Sequence, residues 1–274
     1  MPRRIPGAHF ARNLVERRTL IFQLVKRDFQ QRYVGSAAGW LWGLVQPLVL
    51  LVSYVFIFQI CLGQKPGPDD VTTNYPMLLF CGMLPWLLFQ ETVLRSSASL
   101  VEQANLITKT VFPAEIVPVS IFLSSLMSNA LASVLAIAAA AIFLRHISPL
   151  LAVLPVFMLL LGMFAVGIGW IAAALHVYLR DTAQILAVVL TLWFWATPIL
   201  ITEDKLKNAG HWPLVLVNLN PLTYFVRAWR EVLLGYRIPA LLHWGWIAAA
   251  SAILVFVLGG LFFRYMKRGF ADVL

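Results

Sequence analysis

The stretch KRDFQQRYVGSAAGWLWGLVQP, residues 26–47, contains the boundary between a charged segment and a long uncharged one. From Tyr33 to Gln64 the chain has no Asp, Glu, Lys or Arg. That run is longer than the ~20 apolar residues needed to cross a hydrocarbon core of ~30 Å. We therefore predict that a first transmembrane helix begins just after a turn at Gly35 and Ser36.

Positive charge is concentrated on the N-terminal side of this boundary. Of the 21 Lys and Arg residues, eight precede Tyr33 and three more, Arg264, Lys267 and Arg268, follow the last apolar run. Cytoplasmic segments of membrane proteins carry an excess of Lys and Arg, so this distribution predicts a cytoplasmic N-terminus. The net charge of +9 is then a signal of topology and not of nucleic-acid binding.

The composition indicates a multi-spanning membrane protein, because 61% of the 274 residues are hydrophobic and only 12% are charged, against about a quarter in soluble domains. Further uncharged runs of spanning length follow the first one. The six runs are Tyr33–Gln64, Val71–Gln90, Ile116–Leu144, His146–Leu179, Thr182–Thr202 and Ile238–Phe263. An even number returns the C-terminus to the cytoplasm.

We predict an all-α polytopic protein that forms one domain over residues 1–274. Residues 34–264 would be a six-helix membrane region, residues 1–33 a cytoplasmic or interfacial part, and residues 265–274 a cytoplasmic tail. Phe10–Tyr33 has apolar residues at helical spacing and predicts an amphipathic helix on the membrane surface. No cleaved signal peptide is expected, because no short apolar segment with a cleavage site precedes the first span.

Two connecting segments have features of their own. The inward loop Arg95–Glu115 contains a polar segment, Glu102–Thr110, closed by Pro113, which is either a short helix parallel to the membrane or an ordinary loop. The outer segment Glu203–Arg237 is too interrupted by Pro and Asn for a lipid-facing helix. It is either two short helices that dip into the outer leaflet or a surface loop.

The sequence lacks the common motifs of nucleotide-binding and catalytic sites. The chain has no G-x-x-x-x-G-K-[ST] phosphate loop, no G-x-S-x-G and no H-E-x-x-H. The two cysteines and five histidines show no metal-ligand spacing, so we predict no catalytic residues, no metal site and no cofactor on this chain. Any ATP must be hydrolysed by another polypeptide.

Ionisable residues within the spans are placed near one boundary. Glu91, Arg95, Arg180 and Asp181 all fall at predicted cytoplasmic ends, and no carboxylate lies in mid-membrane. Ion-coupled transporters usually have their sites near the midplane, so this placement disfavours a secondary transporter.

Several local motifs together resemble one family. They are RDF at 27–29, RY at 32–33, GWLWGLVQPL at 39–48, FPAE at 112–115, YLRD at 178–181 and NPLTYFVRAWRE at 220–231. With the length and helix layout, they are similar to the permease subunit of ABC-2 type transporters, and most of all to polysaccharide and O-antigen export permeases.

The resemblance implies a homodimer in the bacterial inner membrane that works with two copies of an ABC nucleotide-binding subunit. ATP and Mg would be on that partner, the substrate would be a lipid-linked polysaccharide, and no nucleic acid would be bound. The N-terminal helix and the segment Glu102–Thr110 would contact the ATPase. Candidate contact residues are Arg27, Asp28, Arg32, Glu102, Asn105 and Lys109.

Aromatic residues are the best candidates for a substrate conduit. Trp193, Phe194 and Trp195 stand about 100° apart on a helix, so they cannot all face lipid. Aromatic faces would let sugar rings slide past without tight binding, whereas the alternative is a set of interfacial anchors. The conduit candidates are Trp40, Trp42, Phe58, Trp86, Phe89, Trp193, Phe194, Trp195 and Tyr224.

Two other functions compete with glycan export. The first is an ABC-2 permease for a small amphiphile, a drug or a lipo-oligosaccharide. The second is a membrane-embedded transferase that acts on lipid-linked sugars. A transferase would need clustered carboxylates, and the scattered Asp and Glu residues argue against it.

Overall fold

The computed structural model describes most of the chain, and these residues form helices and turns without any strand. The described ranges are 17–37, 39–68, 70–109, 112–145, 147–202, 205, 210–235 and 238–273. The part of the predicted surface helix before Arg17 lies outside them. The rest of that helix is present as a regular α-helix.

The helices are numbered in chain order. The first part of the chain forms α1 Arg18–Tyr33, α2 Trp42–Tyr54, α3 Tyr75–Glu102, α4 Ala104–Lys109 and α5 Ile116–Ala139. The second part forms α6 Leu154–Tyr178, α7 Thr182–Ala196, α8 His211–Leu219, α9 Pro221–Leu234, α10 Ile238–Met266 and α11 Phe270–Val273. Helices α2 and α5 continue as π-helical turns over Val55–Cys61 and Ala140–Leu144, and 3-10 turns occupy Gly39–Leu41, Pro149–Val153 and Lys267–Gly269.

Within the described residues, five helical segments are long and apolar enough to cross a membrane. They are Gly39–Cys61, Tyr75–Glu102, Ile116–Leu144, Pro149–Tyr178 and Leu242–Gly269. A sixth apolar helix, α7, has 15 residues. The chain is therefore an all-helical multi-pass membrane protein, as predicted.

The turn between α1 and α2 is where the sequence predicts it. Gly35 and Gly39 have φ angles of +77° and +50°, which an L-residue with a side chain adopts only with strain. The chain therefore leaves α1 at Tyr33 and enters the first span within six residues. This turn brings the charged end of α1 next to the first turns of α2.

Helix α3 is at the centre of the bundle and packs against α5, α6 and α9. Leu79, Leu84 and Phe89, which follow one another at intervals of five residues and so lie on different faces of α3, are all fully buried, as expected for a helix that is apolar all round. The predicted loop beginning at Arg95 is instead helical as far as Glu102. Arg95 pairs with Asp28 of α1, and Ser97 and Ser99 donate to backbone oxygens of their own helix. The buried Ser96 hydroxyl has no hydrogen-bond partner among the described residues.

Helix α7 ends six residues before the predicted end of the fifth run. Pro198 disfavours helical backbone at the preceding residue, so the helix ends at Ala196. The following residues are irregular but buried, and Leu200 accepts a hydrogen bond of 2.7 Å from the Tyr75 hydroxyl. Irregular backbone in a membrane region is tolerated when protein groups satisfy it in this way.

The predicted pair of short helices after α7 is present as α8 and α9. Helix α9 is buried along nearly its whole length, against α3, α6 and α10. Arg230, which is 4% exposed, donates to the backbone oxygens of Leu78 at 3.0 Å and Ile199 at 2.9 Å. Arg230 is therefore enclosed by protein, where it ties α9 to α3 and to the irregular segment.

The C-terminal turn folds back on the bundle. The Lys267 ammonium lies 2.6 Å from the Glu115 carboxylate at the start of α5, and the Tyr178 hydroxyl donates to the Met266 backbone oxygen. Phe270 is 2% exposed and contacts Phe263. The end of the bundle that carries α1, α4 and this turn is called the α1 end below, and the opposite end is called the α9 end.

Candidate functional site

A cavity of about 630 Å³ lies between α2, α3 and α5, next to the last turn of α1. Its α2 wall carries Trp42, Gln46, Leu50 and Tyr54, which recur at helical spacing and so share one face of the helix. Polar groups line the remainder, including Arg32, Gln90 and Asn129. We call it the α1–α2 cavity.

A second cavity of about 220 Å³ adjoins the first on the side of α7. Aromatic rings dominate its walls, so we call it the aromatic cavity. It is lined by Leu50, Tyr54, Met83, Trp86, Leu87, Gln90, Thr191, Phe194 and Trp195. Leu50, Tyr54, Leu87 and Gln90 belong to both cavities, so the two form one continuous seam along α2 and α3.

The rings of the aromatic cavity support one another. Tyr54 stacks on Phe194 with centroids 5.9 Å apart, and Trp86 lies 5.4 Å from the same ring. Trp86 is 2% exposed and donates from Nε1 to Gln90 Oε1 at 2.8 Å, so this indole is held in place by packing and by one hydrogen bond. This seam joins flat apolar surfaces to amide groups, the combination that a sugar ring with its hydroxyls can contact.

Four of the predicted conduit residues therefore line the seam: Trp42, Trp86, Phe194 and Trp195. Phe58 contacts Tyr54 at 6.4 Å, one turn further along α2. Phe89 and Trp193 form a second layer behind the seam. Phe89 is fully buried and lies 5.3 Å from Trp193, whose Nε1 donates to Asn220 Oδ1.

The two remaining conduit candidates are placed elsewhere. Trp40 is half exposed on the turn Gly39–Leu41, before α2 begins. Tyr224 is on α9, where its hydroxyl donates to the Asn218 backbone oxygen at 2.7 Å and its ring lies 6.0 Å from Trp244 of α10. The structure thus groups Tyr224 with the helices of the α9 end.

Sequence reasoning did not select Tyr54, Gln46 or Gln90, although all three line the seam. A signal was available for two of them, because Gln46 and Gln90 are amide side chains inside otherwise apolar runs. Polar residues placed in a membrane span are expensive and commonly face the protein interior or a cavity. Tyr54 could not be told apart from an ordinary belt residue without its neighbour Phe194.

A third concavity, of about 310 Å³, lies at the α1 end between α1, α4 and α5. Four of the predicted ATPase-contact residues meet here: Arg27 and Asp28 from α1, Glu102 from the end of α3 and Asn105 from the start of α4. The two residues of α1 precede the other two by at least 74 positions in the sequence, and the fold brings all four to one groove. We call it the α1–α4 groove.

The last two contact candidates differ from these four. Arg32 turns away from the groove and pairs with Glu91 of α3, where it lines the α1–α2 cavity. Lys109 is the last residue of α4, and its side chain lies outside the described part of the structure. In the described residues, no three His, Cys, Asp or Glu side chains come close enough to hold a metal ion.

Comparison with known proteins identifies the family. Residues 19–234 match the ABC-2 type transporter family, which is most of the chain and extends from α1 to the end of α9. The chain belongs to the ABC-2 type transporter family. The family resemblance seen in the sequence motifs is confirmed.

Relatives of this ABC-2 transporter chain match it over nearly their whole length. The O-antigen export system permease protein RfbA of Myxococcus xanthus is 28% identical over 251 residues, which cover 92% of this chain and 94% of the relative. A protein of the same name from Klebsiella pneumoniae is 27% identical over 264 residues, covering 93% and 95%. The seam and the α1–α4 groove both lie within the region that defines the ABC-2 family.

Proposed function

We propose that this chain is the membrane-spanning permease subunit of an ATP-driven exporter that moves a lipid-linked polysaccharide, an O-antigen or related cell-surface glycan, across the bacterial inner membrane. The names of the two relatives support the substrate class. The observation that carries the proposal is the continuous seam of Trp42, Tyr54, Trp86 and Phe194 with Gln46 and Gln90. Aromatic faces can pack against sugar rings, and amide groups can form hydrogen bonds with sugar hydroxyls.

Energy would come from a separate nucleotide-binding subunit that holds ATP and Mg. The α1–α4 groove supports this part of the proposal, because it presents Arg27, Asp28 and Glu102 together on one exposed surface. Positive and negative groups side by side favour a specific, orientation-dependent partner. The N- and C-termini would be cytoplasmic, in line with the distribution of Lys and Arg.

Two copies of the chain would form the complete path. In the described residues, α2 and α7 bury little of their surface, and only Leu190 of α7 is fully buried. Both helices flank the seam, so a second copy could close it by covering them. A two-fold homodimer is the commonest closed arrangement.

The conduit is tested by replacing seam rings with Leu, which is well tolerated in hydrocarbon. In Trp42→Leu, Phe194→Leu and Trp195→Leu, we expect surface glycan to fall, or leakage of small solutes to rise, while the amount of protein in the membrane stays unchanged. The measurement is surface glycan relative to membrane-extracted protein.

The matched control is Trp246→Leu, because Trp246 is 75% exposed on α10, away from the seam. It should leave export unchanged. Normal glycan levels in all three seam variants would return these rings to the role of membrane anchors, and export of a small amphiphile alone would point to the alternative substrate class.

The ATPase partner is tested with the purified chain. Alone it should hydrolyse no ATP, and crosslinks to a co-expressed nucleotide-binding subunit should come from positions 27 and 102. Position 65, at the other end of α2, serves as the control. ATP turnover by a preparation shown to lack that subunit would overturn this part of the proposal.

A further inference from the structure

Four charged side chains form a chain of contacts between α1 and α3. The Arg95 guanidinium donates to Asp28 Oδ1 at 2.5 Å and lies 3.7 Å from Glu91 Oε1. Arg32 in turn donates to Glu91 Oε1. The transport path and the partner groove described above do not account for why two arginines meet at one carboxylate oxygen.

The surroundings of the Glu91 carboxylate are those of an anion-binding site. Besides the two guanidinium groups, Oε1 accepts a hydrogen bond of 3.0 Å from the Ser125 hydroxyl. Ser128 lies three residues after Ser125 on α5, and its hydroxyl oxygen accepts a hydrogen bond of 3.0 Å from Arg32 Nη1. Guanidinium forks with hydroxyl groups are the donors that proteins use to bind phosphate. Here the protein's own carboxylate fills that position.

The position is open to the α1–α2 cavity. Arg32, Glu91 and Ser128 form part of its lining, and the side chains of Arg32 and Glu91 are 19% and 33% exposed. The volume of about 630 Å³ is in the range that holds a small-molecule ligand. The opposite wall, on α2, carries Trp42, Pro47 and Leu50 beside the single amide of Gln46, and its apolar part suits a hydrocarbon chain.

The depth also suits a lipid phosphate. Glu91 lies about 24 Å along α3 from Tyr75, at ~1.5 Å per residue. In a hydrocarbon core of ~30 Å, this is close to the edge on the α1 side. Phosphate groups of membrane lipids lie just beyond that edge, within reach of an arginine side chain.

The geometry points to a binding site for the phosphate or diphosphate group of a membrane lipid, formed by Arg32 and Arg95 with Ser125 and Ser128. Glu91 holds the two arginines in position and leaves when the phosphate binds, while Asp28 keeps Arg95 in place. The hydrocarbon chain of the lipid lies along the α2 wall. The lipid is either the carrier of the exported glycan, which rests on the proposed function, or a bulk anionic phospholipid.

In this arrangement Glu91 competes with the phosphate for the two arginines, so removing its charge should strengthen phosphate binding. The full chain is purified in a maltoside detergent, which carries no phosphate, and titrated calorimetrically with farnesyl diphosphate. Arg32→Gln should weaken binding about tenfold or more, because charge-assisted bonds are lost. Glu91→Gln should tighten it about two- to fivefold, the strength of a partly exposed ion pair.

The matched control is Glu115→Gln, which breaks the ion pair with Lys267 at the same end of the bundle. It should leave the affinity for farnesyl diphosphate unchanged. Arg32→Lys keeps the charge without the fork and should bind with intermediate affinity, which separates binding from folding if Arg32→Gln is unstable. Weaker or unchanged binding in Glu91→Gln would overturn the proposal and leave the four charges as a structural link.

A second titration with short-chain phosphatidylglycerol identifies the source of the phosphate. Tighter binding of farnesyl diphosphate supports the glycan carrier, whereas equal or tighter binding of phosphatidylglycerol supports a bulk lipid, and both must depend on Arg32. If neither probe responds to Arg32→Gln, the site does not exist. If seam variants stop glycan export while Arg32→Gln binds both probes normally, the exporter stands and only this site fails.

Discussion

The Asn220 side chain forms hydrogen bonds with three different elements at the α9 end. Its Oδ1 accepts from the Leu222 amide at 3.0 Å and from Trp193 Nε1 at 2.8 Å, so it caps α9 and orients an indole of α7. Its Nδ2 donates to Thr197 Oγ1 at 2.8 Å, where the irregular segment begins. A single amide therefore joins α7, the irregular segment and α9.

Replacing this amide should be costly. Asn220→Ala removes a helix cap and two buried side-chain hydrogen bonds, so we expect a loss of about 2–3 kcal/mol in the free energy of unfolding. The measurement is the thermal unfolding midpoint of the purified protein in detergent. Glycan export should also fall, because Trp193 supports Phe89 behind the seam.

The control is Asn74→Ala at the cap of α3. Asn74 accepts one bond, from the Met77 amide at 3.2 Å, so its loss should cost only about 1 kcal/mol. An equal effect of the two variants would show that capping alone accounts for Asn220.

At the scale of elements, the closest helix pair is α6 with α10. A Cβ atom added at Gly259 would lie 2.8 Å from the Gly167 Cα and still closer to its carbonyl oxygen. A Cβ at Gly167 would lie 2.6 Å from the Val255 backbone oxygen. Small residues let membrane helices approach to backbone contact, where dispersion replaces the hydrophobic effect as the source of stability.

Gly259→Ala should therefore force α6 and α10 apart. We expect a loss of about 1–3 kcal/mol, the usual cost of overpacking, seen as a lower unfolding midpoint and less protein in the membrane. Gly260→Ala is the control, because its added Cβ would lie at an ordinary 3.6 Å from Trp170 Cζ3. A normal midpoint in Gly259→Ala would mean that the two helices can separate at little cost.

At the scale of the whole molecule, the bundle has two chemically different ends. The α1 end carries the ion pairs of Asp28, Glu91 and Glu115, together with the α1–α4 groove. The α9 end carries the buried α9 and the exposed loop around Lys65. This asymmetry supports an orientation with the α1 end toward the cytoplasm.

The orientation is tested by labelling single cysteines. Cys61 and Cys81 are first replaced by Ala, and Lys65→Cys or Lys267→Cys is then introduced. In cells with a permeabilised outer membrane and an intact inner membrane, a membrane-impermeant reagent should label position 65. It should label position 267 only after the inner membrane is permeabilised as well. Labelling of position 267 before permeabilisation would reverse the orientation.

The sequence by itself determined the membrane class, the turn at Gly35 and the extent of the third span. This span consists of α5 and its π-helical turn, and its predicted bounds Ile116–Leu144 are those observed. These features depend on local properties, the length of an uncharged run and the conformational range of glycine. A span needs about 20 consecutive apolar residues, which is a large signal in a sequence. Such a run must be helical, because the backbone groups of a segment in hydrocarbon have to form their hydrogen bonds within that helix. Pro198, which shortens α7, was also visible in the sequence.

Only the tertiary structure decided which side chains meet. In helices that are apolar all round, no face is distinguished in the sequence, so Phe89 behind the seam, Trp86 within it and Tyr224 at the α9 end could not be told apart. The same holds for Arg32, which α1 alone would present to solvent with Arg27. Packing of α1 against α3 and α5 sets its direction, because a partly buried guanidinium needs a carboxylate partner, and Glu91 is distant in sequence and close only in the folded bundle.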